Sequence, residues 1–212
     1  MTYDDVMREL YSLADEKFRA FTVRLLRCRR EVAGVRTPAL RRLGKRIKKE
    51  FPGFVEEFFA RPSVTHEEVL LAGWQTGRDY DANVRLFSRL IPIMDSWAQT
   101  DQTITAFDWA PDKEKLISDL GFLLDGGEYE KRAYVMLLMT NCMTADTFYI
   151  TERELPRVRF GEYYVDMAAA WLLCEAAIKL PERGNALLGM PFVTPSVRKK
   201  TLGKMRDSFR IK

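Results

Sequence analysis

From Val6 to Met205 almost every stretch of this chain brings its apolar residues back every three or four positions, and none alternates them convincingly. That period belongs to helices that bury one stripe, so a sheet-based fold is excluded at the outset. "DDVMRELYSLADEKFRAFTVRLLR" predicts helix over residues 4–27, with Val6, Leu10, Leu13, Phe18 and Phe21 on shared faces and Asp4 or Asp5 near its cap. "TPALRRLGKRIKKEF" predicts a helix with Thr37 as N-cap and Pro38 at the first helical position, where its missing N–H costs nothing. Leu40, Leu43 and Ile47 form its stripe. Further helices are expected at "FPGFVEEFFAR", "THEEVLLAGWQTGR", "YDANVRLFSRLIPIM", "SWAQTDQTITAF", "DKEKLISDLGFLL", "EYEKRAYVMLLMTNC", "TFYITERELPRV", "YYVDMAAAWLLCEAAIKL" and "SVRKKTLGKMRDSF". Turns are expected at Pro62, Pro111, Gly126-Gly127, Gly161, Pro181, Gly184 and Pro195. The fold class is therefore all-α. Stacked in pairs, such helices make a curved solenoid rather than a four-helix bundle, and periodicity alone leaves the two open.

A length of 212 residues fits one domain spanning 1–212, able to bury a core without disulfides or metals. Cys28, Cys142 and Cys174 are odd in number and widely spaced, which fits free thiols in a reducing compartment and a cytoplasmic protein. The runs "AYVMLLM" and "MAAAWLLC" are too short to cross a bilayer, and the acidic, amphipathic "MTYDDVMREL" is unlike a signal peptide. The single histidine, His66, leaves no HExxH and no Cys/His zinc cluster. It follows Thr65 at a predicted helix start, where a structural or surface role is expected. No GxGxxG or GxxxxGK[ST] occurs, so neither a metal nor a nucleotide cofactor is expected. Chemistry must rest on carboxylates, aromatics and arginines. Asp108 and Asp112 read as caps, and Trp74 and Trp109 as core.

Charge is segregated. Residues 17–49 carry thirteen basic side chains against Glu31 alone, a local charge of +12, and residues 198–212 carry +6, in a chain whose net charge is only +4. The remainder is therefore strongly acidic. Blocks of this kind suit a polyanion, of which nucleic acid is the commonest. Arg36, Arg41, Arg42 and Arg46, with Lys199, Lys200 and Lys204, are the candidate phosphate contacts. Arg36 and Thr37 stand at a helix N-terminus, a ready anion site.

In "IPIMDSWAQTD", Ser96 can cap a helix, and Gln99 three residues on completes a capping-box pattern. Trp97 and Asp101 then share a face near the helix's positive end, a setting that keeps a carboxylate ionised. In "YYVDMAAAWLLCEAA", Tyr163, Met167 and Trp171 recur at four-residue spacing beside Ala168, Ala169 and Ala170. A tryptophan in such company is most often core.

"GVRTPALRRLGK", "MDSWAQTD", "EKRAYVMLL", "YYVDMAAAWLL" and "RKKTLGKMRDSFRI" occur in that order. Together they resemble the AlkD-like family of DNA alkylation repair proteins, in particular its shorter bacterial branch, from about Tyr11 to the C-terminus. The resemblance implies an α-solenoid, or superhelix, of HEAT-like helical repeats with a concave basic groove for double-stranded DNA. It implies a monomeric glycosylase, without cofactor, that releases positively charged N3- or N7-alkylated purines. The family's cleft indole and carboxylate fall on Trp97 and Asp101, its second indole on Trp171, and its arginine, expected to engage a phosphate beside the lesion, on Arg132. Tyr129 stands where members often carry an aromatic. The first helices offer Leu25, Leu26 and Arg27 where some members place an aromatic in the cleft, so none is expected there. Relatives of this fold that bind branched or distorted DNA without excision provide the alternative reading. A third is a helical scaffold whose basic face takes an acidic peptide.

Overall fold

The computed structural model describes residues 1–109 and 112–210. Among them there is no strand, and the extended pairing is an isolated bridge between Ala14 and Val35. The fold is all-α, as expected. The chain divides into two compact units, Met1–Asp108 and Trp109–Lys212.

The first unit holds α1 (Tyr3–Ser12), α2 (Glu16–Leu26), α3 (Thr37–Glu50), α4 (Phe54–Phe59), α5 (His66–Gly73), α6 (Tyr80–Leu90) and α7 (Trp97–Ala106). Its centre is α5, which packs against α3, α4, α6 and α7 and is buried along its whole length. The stripes read from sequence meet there: Val6, Leu10, Leu40, Leu43 and Ile47 are buried with Val69, Leu71, Phe87 and Leu90. The second unit holds α8 (Lys113–Asp119), α9 (Glu128–Asn141), α10 (Phe148–Glu154), α11 (Tyr163–Lys179), α12 (Pro181–Gly189) and α13 (Pro195–Arg206). Here α11 is central and packs on α9, α12 and α13. In both units a buried helix is surrounded by chain neighbours, the packing of HEAT-like helical repeats. No helix among the described residues is long and apolar enough to cross a membrane.

Four sequence expectations change. Residues 4–27 form two helices, because Asp15 caps the second by accepting from the Phe18 N–H at 2.9 Å. The break leaves Leu13 and Phe21 exposed. At the start of the first, Thr2 is the N-cap and Asp5 completes the capping box. Arg36, not Thr37, caps α3. Its backbone is extended (φ −64°, ψ 137°), and Thr37 already lies in the first turn. Gly184 makes no turn, and the turn expected at Pro181 falls at Leu180, which separates α11 from α12. Pro181 opens α12, as a proline can where its N–H would have no partner. Pro195 opens α13 likewise, with Thr194 accepting from the Val197 N–H. The turn expected at Pro111 lies outside the described residues.

Gly184 is there for close approach. A Cβ at this position would stand 2.4 Å from the Ala176 carbonyl carbon of α11. Alanine favours a helix interior over glycine by about 1 kcal/mol. That gain cannot offset pushing two backbones apart, which costs roughly 1–3 kcal/mol. Gly184→Ala is therefore expected to lower the urea unfolding midpoint. A midpoint at or above the parent's would show that α12 can slide away freely.

Candidate nucleic-acid interface and active site

In the first unit, α7 positions Trp97 and Asp101. Ser96 is fully buried and accepts from the Gln99 N–H at 3.4 Å. The Gln99 amide oxygen accepts from the Asp95 N–H at 2.9 Å instead of closing the box on Ser96. Asp95 in turn accepts the backbone N–H groups of Arg29 (2.9 Å) and Arg30 (3.0 Å), which ties the basic loop after α2 to the start of α7. Trp97 is partly exposed in the first turn, and Asp101, one turn on, is 9 % exposed. The indole is thus neither sealed in the core nor loose on the surface.

Trp97 borders a hollow of about 140 Å³ that Phe18 and Phe21 of α2, Thr37 of α3, His66 of α5 and Gln102 of α7 also line. Phe21 is 50 % exposed. The first helices therefore do place aromatics beside Trp97, against expectation. The Asp15 break turns the face of α2 that carries Phe18 and Phe21 toward α7. Their spacing, with Leu25 at the next turn, was the available signal, and reading one continuous helix hid it.

The basic block is less free than its composition suggests. Arg36 pairs with Asp15 at 2.8 Å and lies over the Phe18 ring at 4.9 Å. Arg46 pairs with Glu9 at 2.8 Å, and Arg41 lies over Trp74 at 5.1 Å. Trp74 is accordingly only partly buried, whereas Trp109 is core as expected. Arg42 is exposed. Exposed pairs such as Arg36–Asp15 are screened by water and contribute little, so a phosphate can take over the guanidinium at little cost.

In the second unit, the run "EYEKR" docks on one residue, Tyr164 at the start of α11. Glu128 accepts the Tyr164 N–H at 2.7 Å, Tyr129 stacks on its ring at 5.7 Å, and Arg132 donates to its carbonyl at 2.8 Å. Arg132 is 5 % exposed. This arginine sits largely inside, where the carbonyl acceptor offsets part of the loss of water. Its visible work is to fix the first turn of α11. Tyr129 likewise serves that joint.

Along α11, Ala168, Ala169, Ala170, Leu172 and Leu173 are fully buried, while Tyr163, Met167 and Trp171 form the opposite edge. Trp171 is 38 % exposed, so it is not the core residue its alanine neighbours suggest. Lys199 is exposed and Lys204 partly so. Lys200 is tied down, donating to Asp166 at 3.2 Å and to Ser196 at 2.6 Å. Burial pushes the Asp166 carboxyl up, but the Gly161 N–H, Ser196 and Lys200 outweigh it and hold the group below the usual carboxylate range.

Other chemistry has little to stand on. No group of three or more potential metal ligands occurs among the described residues. The three cysteines are free, and burial pushes Cys28 and Cys142 up to about 11, far from a thiolate at neutral pH. Asp112 caps α8 by accepting from the Lys115 N–H at 3.0 Å, while Asp108 is exposed.

No curated protein matches the chain. A family model described as DNA alkylation repair enzyme matches residues 6–186, from α1 into α12, and so includes Trp97, Asp101, Arg132 and Trp171. A match over that much of the sequence, on an all-helical fold, places this chain in the DNA alkylation repair enzyme family, whose members interact with DNA.

Proposed function

We propose that this protein is a monomeric, single-domain DNA glycosylase that hydrolyses the N-glycosidic bond of positively charged N3- or N7-alkylated purines in duplex DNA. What carries the reading is the pair on α7: a partly exposed indole with a carboxylate one helical turn away. Breaking the bond builds positive charge on the sugar, and Asp101 would stabilise that charge and orient the attacking water. The water oxygen bonds to the sugar carbon and loses its proton to bulk water, while the electrons of the broken C–N bond leave with the purine, which the alkyl group has already made cationic. A strong general acid is unnecessary, in keeping with a chain whose one histidine is buried. Trp97 and Trp171 would offer π faces to the cation, each contact worth about 1 kcal/mol. Arg36, Thr37, Arg41, Arg42, Arg46 and Lys199, with Lys200 and Lys204 nearby on α13, would follow the phosphates. Arg132, which also holds the start of α11, would engage a phosphate beside the lesion.

The expected result is release of 7-methylguanine from methylated duplex DNA, detected by chromatography of the freed base. Binding to duplex DNA is expected to weaken steeply with salt, by a log–log slope of roughly −0.9 for each phosphate engaged. Salt-independent binding would favour the acidic-peptide scaffold. The second reading, a non-catalytic binder of branched or distorted DNA, draws support from the depth of Asp101 and Arg132. Salt-dependent binding with no base release would establish it in place of the first.

A further inference from the structure

The chain between α2 and α3 carries charge that the fold leaves unused. Arg24, in the last turn of α2, and Arg27 and Arg29 just beyond it are exposed. None of these three side chains has a hydrogen bond or an ion pair among the described residues. Arg36, Arg41 and Arg46, by contrast, already face an acid or a ring. Arg30 is engaged as well, its guanidinium donating to the Ile93 carbonyl at 3.2 and 2.6 Å.

Arg27 sits against its backbone preference. It ends α2 at φ +52°, in the left-handed region that a Cβ disfavours and that helix ends usually give to glycine or asparagine. Among the described residues no other non-glycine has a positive φ. The turn sends the chain toward the segment before α7. There one oxygen of Asp95 accepts both the Arg29 N–H, at 2.9 Å, and the Arg30 N–H, at 3.0 Å. The other oxygen lies 3.9 Å from the Arg30 Nε. Asp95 is followed directly by Ser96, the N-cap of α7, and then by Trp97. Leu25 of α2 and Trp97 line one hollow, so this end of α2 stands beside the first turn of α7.

We propose that Arg24, Arg27 and Arg29 form a clamp for DNA phosphates beside Trp97, and that Asp95 is its positioning residue, holding the loop in register with α7. A guanidinium presents a fork of donors that fits two phosphate oxygens. An exposed guanidinium without a partner breaks no protein contact when it takes a phosphate, whereas Arg36 and Arg46 must each leave a carboxylate. Two backbone N–H groups on one carboxylate order the loop before DNA arrives, so binding does not have to order it. The proposal rests on the DNA-binding part of the function proposed above and not on base release.

Asp95 is the informative residue, because its removal has two effects of opposite sign. Deleting an acid beside a polyanion site tightens binding by electrostatics alone. Releasing the loop weakens it.

The test measures binding of the full chain to a labelled, unmodified duplex by fluorescence anisotropy across a range of salt concentrations. Arg27→Gln combined with Arg29→Gln is expected to weaken binding at least about tenfold and to make the log–log salt slope shallower by roughly 1.8, two phosphates' worth. Asp95→Ala is expected to weaken binding despite the lost negative charge, and to add nothing in the Arg27→Gln, Arg29→Gln background. Asp95→Asn, which keeps an acceptor for both N–H groups, is expected to restore binding. Arg27 and Arg29 are exposed, so their variant serves even where Asp95→Ala impairs folding. An unchanged affinity and slope in the double arginine variant overturns the clamp. Equal weakening by Asp95→Ala in both backgrounds, or tighter binding, overturns the positioning role. Release of 7-methylguanine by the parent is read separately. A lost slope without release keeps the clamp and removes the glycosylase, and release with an unchanged slope does the reverse.

Discussion

Asp101→Asn is expected to slow release of 7-methylguanine at least about 100-fold, with helical content by circular dichroism retained. Removing one preorganised group that faces developing charge typically costs a factor of roughly 100–1,000. Asparagine keeps the size and shape of the side chain, so the variant removes the negative charge and one acceptor oxygen without opening a cavity. That charge matters because Asp101 sits in a mostly buried position, 9 % exposed, where water screens it poorly. It is also the larger effect to look for: each indole contributes only about 1 kcal/mol of cation–π attraction. The measurement is single-turnover base release from methylated duplex, with binding of the same duplex as a control. Release within a few-fold of the parent's would remove Asp101 from catalysis and with it the glycosylase reading. Loss of release together with loss of binding would instead point to a disturbed α7.

The helices were legible in the sequence because burial imposes a period, and the stripes at Val6, Leu10, Leu40, Leu43 and Ile47 did become core. What misled was punctuation. Proline and glycine each carry two meanings. Pro181 and Pro195 open helices, and Gly184 marks contact between helices rather than a bend. Only the neighbour across the contact distinguishes them, and the neighbour is not written in the local sequence. The same holds for the site. Trp97 and Asp101 were readable as a pair because one turn of helix joins them. Phe21, His66 and Gln102 come from three different helices, so only the fold could bring them to one hollow. The depth of Arg132 was not readable for a related reason. A charged residue is presumed to face water, and nothing local shows that the Tyr164 carbonyl awaits it inside.

Glu67 is the residue whose loss is expected to cost the most stability. Its carboxylate is 2 % exposed at the start of α5 and takes three successive backbone N–H groups, from Ala33 at 2.9 Å, Gly34 at 2.8 Å and Val35 at 3.3 Å. These residues form the loop that leads into α3. Gly34 has φ +89°, a left-handed conformation that a Cβ would strain, and that Cβ would also lie 2.5 Å from the Cβ of Arg19. The loop therefore packs against α2 at one side and hangs from Glu67 at the other. In Glu67→Gln the amide group would point N–H toward N–H, leaving one acceptor oxygen for three donors. A buried donor without a partner costs about 1–3 kcal/mol, and breaking a buried charged contact roughly 3–5. The expected loss is about 4 kcal/mol, read from the denaturant midpoint. The consequence reaches the interface, because the loop sets where Arg36, Thr37 and the rest of α3 stand. At temperatures where the variant is still folded, weaker DNA binding is therefore expected to accompany the lost stability. A Glu67→Gln protein within 1 kcal/mol of the parent would show that this carboxylate does not hold the loop.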